Sequence, residues 1–173
     1  MNLQFSPGIS ATVIESLAGR ALYAPQAYFL VSGTGDAERR LIAFDLALMR
    51  AGIADVNLVR LSSIVGPKAE RIEPVRLAPG VLVPTAYAQI CSDRAGERLA
   101  AAVAVAHPDD PERAGVIMEY SDHCSAAEAE RIVRGMAEEA IANRGLKVER
   151  IESISAEHIV EKNGCAFAGV VQI

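Results

Sequence analysis

The chain has 173 residues, 51% of them hydrophobic and 23% charged, with a formal net charge of -5. Those values predict one domain over residues 1–173 with a sizeable core, and they leave no electrostatic footprint for nucleic acid. No apolar run approaches the ~18 residues of a membrane span, and Met1-Asn2-Leu3-Gln4-Phe5 lacks the basic and long apolar stretches of a secretion signal.

Residues 1–24 are weakly patterned and read as an arm. Ala27 to Ser32 predicts a strand, and Ser32-Gly33-Thr34-Gly35-Asp36 predicts a turn that offers N-cap residues to a following helix. That helix runs from Glu38 to Ala51 and ends at Gly52. Val56 to Val65 predicts a strand, stopped by Gly66-Pro67, and residues 66–80 form a connector rich in proline, glycine and charge. Further strands are predicted at 80–91, 97–106, 114–120, 148–159 and 165–172. Several are continuous apolar runs, as expected for strands buried on both faces. A helix is predicted at 125–144. Ser125 and Glu128 form a capping box, Ile132, Val133, Met136, Ala140 and Ile141 line one face, and Gly145 ends it. Strands outnumber helices, which argues for a layered α/β fold with mixed or antiparallel sheets rather than a parallel Rossmann sheet.

Five residues carry candidate chemistry. On a helix, Asp45 has Leu41, Ile42, Leu48 and Met49 at its i±3 and i±4 positions. The carboxylate therefore sits on a core-facing stripe and needs a cation. A bound guanidinium meets that need bidentately; an ion pair to Arg60 or another internal arginine meets it within the chain, and a helix too irregular for this geometry removes it. Glu119 shares a strand face with Gly115 and Ile117. Apolar neighbours favour its protonated form, which suits a proton donor, whereas a solvated strand end would carry no chemistry. Ser62 and Ser63 end the strand that starts at Val56. They read either as an ordinary polar terminus or as a self-processing pair in a strained bend. Asn57 has the parity of Ser63 but lies six residues back, roughly 20 Å along an extended strand. It reaches Ser63 only from another subunit or through a sharp turn.

Other patterns are weaker. Gly33-Thr34-Gly35 lacks the rest of a nucleotide-binding loop, and His107, His123, His158 and the cysteines show no metal-ligand spacing. His123-Cys124 opens a helix at the surface, and Glu157-His158 with Glu161 reads as a strand-end charge cluster. Cys91, Cys124 and Cys165 are odd in number and far apart, so they read as reduced thiols of a cytoplasmic protein.

A wider pattern runs through residues 40–168. It comprises Ala43-Phe44-Asp45, Ala51-Gly52-Ile53, Asn57 to Pro67 with the serine pair, Val83-Pro84-Thr85-Ala86-Tyr87, Ile117-Met118-Glu119-Tyr120, Glu157-His158 and Gly164-Cys165-Ala166-Phe167-Ala168. In order and spacing these segments resemble the pyruvoyl-dependent arginine decarboxylases. The resemblance implies a four-layer α/β/β/α sandwich, assembled as a trimer or hexamer with active sites between neighbouring subunits. It implies self-cleavage between Ser62 and Ser63, giving a β chain 1–62 and an α chain 63–173 that begins with a pyruvoyl group derived from Ser63. Asp45 would accept the substrate guanidinium, with Ala54 and Val56 in the loop whose backbone lines the same pocket. Leu46, Ala54 and Asp55 stand where the family often has smaller or different residues. Glu119 would donate a proton during decarboxylation rather than act in cleavage, and Asn57 would assist processing or substrate placement. Neither pyridoxal phosphate nor a metal is implied, and the only partners are an amino-acid substrate and further copies of the chain. Decarboxylation of another amino acid, or an uncleaved oligomeric binding protein, would also suit the pattern.

Overall fold

The structure, a computed structural model, describes residues 24–173. The expected N-terminal arm therefore lies almost wholly outside the described residues. Among these there are two helices, α1 (Arg40–Arg50) and α2 (Ala126–Ala142). The strands are β1 (Ala27–Ala37), β2 (Asn57–Arg60), β3 (Ile64–Val65), β4 (Glu70–Arg71), β5 (Leu82–Ser92), β6 (Arg98–Pro108), β7 (Gly115–Asp122), β8 (Val148–Ile159) and β9 (Asn163–Gln172). They form a five-stranded sheet in the order β2-β5-β9-β1-β4 and a four-stranded sheet in the order β3-β7-β6-β8. The fold is mixed α/β and mostly strand, as the sequence predicts. Pairing is antiparallel except for β1 with β4 and β2 with β5.

Strand alternation divides the interior into three apolar clusters. Phe29, Val31, Cys165, Phe167 and Val171 of the first sheet pack with Ala43, Ala47 and Leu48 of α1. The opposite face of that sheet carries Tyr28, Leu30, Ala86, Ala166, Ala168 and Val170, which meet Leu99, Ala101, Val103 and Val105 of the second sheet. On the far face of the second sheet, Ala100, Ala102, Ala104 and Ala106 pack with Ala129, Val133, Ala137 and Ile141 of α2. β6 is thus buried on both faces, which explains its unbroken apolar run.

Several expectations are corrected. The predicted turn at 32–36 is part of β1, because Gly33 and Gly35 let α1 lie close on the strand. A Cβ on Gly33 would stand 2.2 Å from the Ala47 carbonyl oxygen, and one on Gly35 would stand 2.0 Å from that of Ala43. The predicted strand 56–65 is two strands in different sheets, since β2 pairs with β5 and β3 pairs with β7. The connector 66–80 contributes the short β4. Cys91 and Cys165 are not free thiols. They face each other in the β5–β9 register and form a disulfide, leaving Cys124 as the free cysteine.

Both helix C-termini and the start of α2 follow the sequence signals, but α1 begins after Arg39 with no side-chain cap, so the N-cap role expected of residues 32–36 is not filled. Gly52 is left-handed (φ 77°), and the Gly52 and Ile53 N–H groups donate to the carbonyls of Met49 and Leu48, closing the end of α1. Ser125 caps α2 by accepting from the Glu128 N–H at 3.2 Å, while the Glu128 carboxylate pairs with Arg131 instead of completing the box. Glu157 also serves α2, accepting from the Ala126 N–H at 2.8 Å, and His158 bonds Asp36. Neither described helix is long and apolar enough to cross a membrane.

Candidate active site

The serine pair occupies the place where the chain changes sheet. The Leu61 N–H donates to the Thr85 carbonyl at 3.2 Å, the last rung in the first sheet. The Ile117 N–H donates to the Ser63 carbonyl at 2.9 Å, the first rung in the second. The Ser62–Ser63 peptide bridges these two anchors. Ser63 turns the chain with a φ of 71°, a left-handed conformation that costs a non-glycine residue roughly 1 kcal/mol or more. The strained bend that the self-processing reading of the serine pair requires is present, at Ser63 itself.

β7 carries Glu119 to this bend. Ile117 and Glu119 share a strand face, so the rung that holds the Ser63 carbonyl also brings the Glu119 carboxylate beside the Ser63 side chain. The Ser63 hydroxyl donates a hydrogen bond to Glu119 Oε1. Ser62 is exposed, and Ser63 and Glu119 are half-buried. Two small cavities lie beside the pair, one at Ser63 and one at Glu119. One of about 170 Å³ is lined by Pro25, Leu61, Ser62, Ser63, Pro84 and Gln172. The other, of about 140 Å³, is lined by Arg60, Gln89, Glu119, Tyr120 and Ser121. Two residues 56 apart in sequence become a hydroxyl–carboxylate pair, an arrangement in which the carboxylate can take the hydroxyl proton.

The other predicted residues lie apart. Asn57 is exposed at the start of β2, and its side chain donates to the Gly80 carbonyl at 3.0 Å. Within the protomer it is not bonded to the serines. Ala54 and Val56 line a separate cavity of about 220 Å³ with Met49, Asp55 and Arg76. Asp45 is exposed, which corrects the expectation of a core-facing carboxylate. The core stripe of α1 is Ala43, Ala47 and Leu48, and the two alanines let the helix backbone lie directly on Gly33 and Gly35. The larger Leu41, Ile42 and Met49 flank Asp45 on the outer side and are 76%, 50% and 58% exposed. The alternative ion pair to Arg60 also fails. The Arg60 guanidinium donates to the Tyr87 carbonyl at 3.0 Å and stacks 4.5 Å from the Tyr87 ring.

Three groups at the site went unnoticed in the sequence: Gln172, Arg60 as a wall of the Glu119 cavity, and the Ile117 N–H. Gln172 was legible, as it breaks the alternating apolar series Ala166, Ala168, Val170. The backbone donor had no sequence signal.

A larger cavity, about 660 Å³, lies elsewhere, lined by both basic and acidic side chains, among them Lys68, Arg150, Asp110 and Glu149. At its wall the buried Tyr28 hydroxyl contacts His107 Nε2 at 2.8 Å and donates to Glu152 at 3.0 Å. Burial, reinforced by the Glu152 charge, pushes the Tyr28 phenol up to about 12. Burial also lowers His107 from its ordinary value, with Arg150 adding to the effect. No group of three or more metal-ligating side chains occurs among the described residues.

A sequence model of the family described as "Pyruvoyl-dependent arginine decarboxylase" matches residues 27–172. A protein named pyruvoyl-dependent arginine decarboxylase from Methanocaldococcus jannaschii is 51% identical over 144 residues, 83% of this chain and 87% of that one. A protein of the same name from Methanococcus maripaludis strain C6 is 48% identical over 84% of this chain and 88% of its own. One from Pyrococcus abyssi is 39% identical over 85% of this chain and 94% of its own.

Proposed function

The chain belongs to the pyruvoyl-dependent arginine decarboxylase family, and we propose that it cleaves itself between Ser62 and Ser63 and then decarboxylates L-arginine to agmatine and carbon dioxide. The observation that carries this reading is the Ser63 hydroxyl on the Glu119 carboxylate, at a left-handed bend between two pinned backbone rungs.

The chemistry follows from that geometry. Ser63 Oγ gives its proton to Glu119 and adds to the Ser62 carbonyl carbon. The Ser62–Ser63 C–N bond breaks, the nitrogen takes the proton from Glu119, and Ser62 is left esterified to Oγ. Release of the bend favours this shift. A base then removes the Ser63 α-proton as the Cβ–Oγ bond breaks, freeing chain 1–62 as a carboxylate. The resulting dehydroalanine takes up water and loses ammonia to become a pyruvoyl group at the start of chain 63–173. The bend fits such a group: the carbonyl that stays with residue 63 is already held by the Ile117 N–H, and the small cavities beside Ser63 and Glu119 leave room at its ketone carbon.

Once formed, the group supplies an electron sink for loss of carbon dioxide from the substrate. Glu119, fixed at the old Ser63 side-chain position, holds the proton that returns to the substrate carbon. The Ile117 N–H orients the carbonyl of residue 63. Asp45 with Ala54 and Val56 forms the guanidinium end of the site, and Asn57 assists placement. These residues and Ser63 lie in separate parts of one protomer, so the complete site forms between neighbouring subunits. The apolar Leu41, Ile42 and Met49 around Asp45 supply a surface for that contact. A trimer, alone or paired into a hexamer, of α/β/β/α sandwiches is the assembly this reading takes.

Intact-mass measurement of the purified protein, with carbon dioxide release from L-arginine, L-lysine and L-ornithine, tests the proposal. The expected result is two chains of residues 1–62 and 63–173, one chain in Ser63→Ala, and fastest release from arginine. A persistent full-length chain overturns the cleavage. Faster turnover of another amino acid overturns the substrate.

A further inference from the structure

We infer that Gln172 is a positioning residue for the self-cleavage, holding the chain immediately after Ser63 so that the serine keeps its bend and its contact with Glu119. The inference rests on the reading that the chain cleaves at Ser62–Ser63.

Gln172 is the last residue of β9, a strand with a neighbour on each side in the five-stranded sheet. Alternation places it in line with Ala166, Ala168 and Val170, on the face turned toward the other sheet. It is 2% exposed, and among the described residues only Thr85 is also both polar and buried to that degree. Thr85 is explained locally, as its hydroxyl bonds the Val83 carbonyl two residues away. Gln172 instead reaches across the gap between the sheets and donates from Nε2 to the Ile64 carbonyl at 3.0 Å.

That carbonyl has a particular need. Backbone carbonyls alternate in direction along a strand. The Ser63 carbonyl points at β7, where Ile117 meets it, so the Ile64 carbonyl points the other way, off the edge of the four-stranded sheet. Among the described residues, β3 has no strand on that side. Gln172 supplies the missing donor. The two carbonyls after the scissile bond are thereby held from opposite sides, one by a backbone N–H and one by a buried side-chain amide. Gln172 also lines the cavity that contains Ser62 and Ser63. An apolar residue would fill the same interior with lower desolvation cost. The amide is accounted for by the restraint it places on β3.

The test compares Gln172→Met and Gln172→Leu with the unaltered chain, all full length, by intact mass at intervals after synthesis. Both replacements put an apolar side chain of similar volume in its place, and neither can donate a hydrogen bond. Both folded variants should cleave about tenfold more slowly, the effect of losing one hydrogen bond that holds the reacting geometry. Hydroxylamine, which cuts esters and spares amides, should not restore the rate, because the variants are delayed before the ester forms.

Cleavage of either folded variant at the unaltered rate overturns the inference. So does rescue by hydroxylamine, which would place the delay after the ester. Loss of the fold in both variants assigns Gln172 to packing and likewise overturns it. An uncleaved parent chain, by contrast, overturns the underlying cleavage reading, which the parent lane reports separately.

Discussion

The sharpest consequence of the structure concerns Glu119→Gln. Sequence reasoning assigned Glu119 to decarboxylation and left it out of the cleavage step, but its Oε1 accepts from the Ser63 hydroxyl, the group proposed to attack. Glutamine has the same length and still offers an oxygen to Ser63, so the bend and its hydrogen bond survive. What disappears is the capacity to take the proton as Oγ attacks. Loss of a positioned general base costs ~10²- to 10³-fold in rate, about 3–4 kcal/mol of barrier. We therefore expect Glu119→Gln to remain mostly full length over times in which the parent chain converts to residues 1–62 and 63–173. The assay is intact mass against time, with Ser63→Ala as the chain that cannot cleave and a thermal melt confirming the fold. Cleavage of a folded Glu119→Gln protein at the parent rate would refute Glu119 as the base and return it to decarboxylation alone.

Two further outcomes concern the frame, both measured in the uncleaved Ser63→Ala background so that one chain unfolds. Gly35→Ala places a methyl 2.0 Å from the Ala43 carbonyl oxygen, which α1 can relieve only by lifting off β1. The expected loss is about 3 kcal/mol, seen as a melt roughly 10 °C lower; an unchanged melt refutes the close-approach argument. Tyr28 makes stability fall at alkaline pH. Its phenol is raised from 10.0 to about 12 in the fold, so between those values the unfolded chain releases a proton that the folded chain keeps. Stability is fully present below pH 10 and declines by roughly 1.4 kcal/mol per pH unit up to about pH 12. Tyr28→Phe should remove that component of the slope in urea titrations at pH 9, 10 and 11, and an identical slope in both proteins refutes it.

Much of this architecture is local in origin and so was readable from the chain. β8 follows its predicted span of 148–159, and β6 shows the continuous apolar run of a strand buried on both faces. Gly52 and Gly145 stop the helices because only they accept the left-handed turn without strain. The Ser-Ser pair and Glu119 were legible as types of residue in a spaced pattern. Tertiary contacts decided the rest. Gly33 and Gly35 look like a turn in one dimension; a helix lying on them makes them a strand. Asp45 looks buried when its apolar neighbours are counted, yet the core of α1 prefers the small face because only alanines fit over those glycines. Cys91 and Cys165 become partners across the β5–β9 ladder, 74 residues apart. Ser63 and Glu119 meet because the chain leaves one sheet at Leu61 and enters the other at Ile64. No local propensity encodes that crossing; it arises from how two sheets, each satisfying its own hydrogen bonds, stack on a shared core.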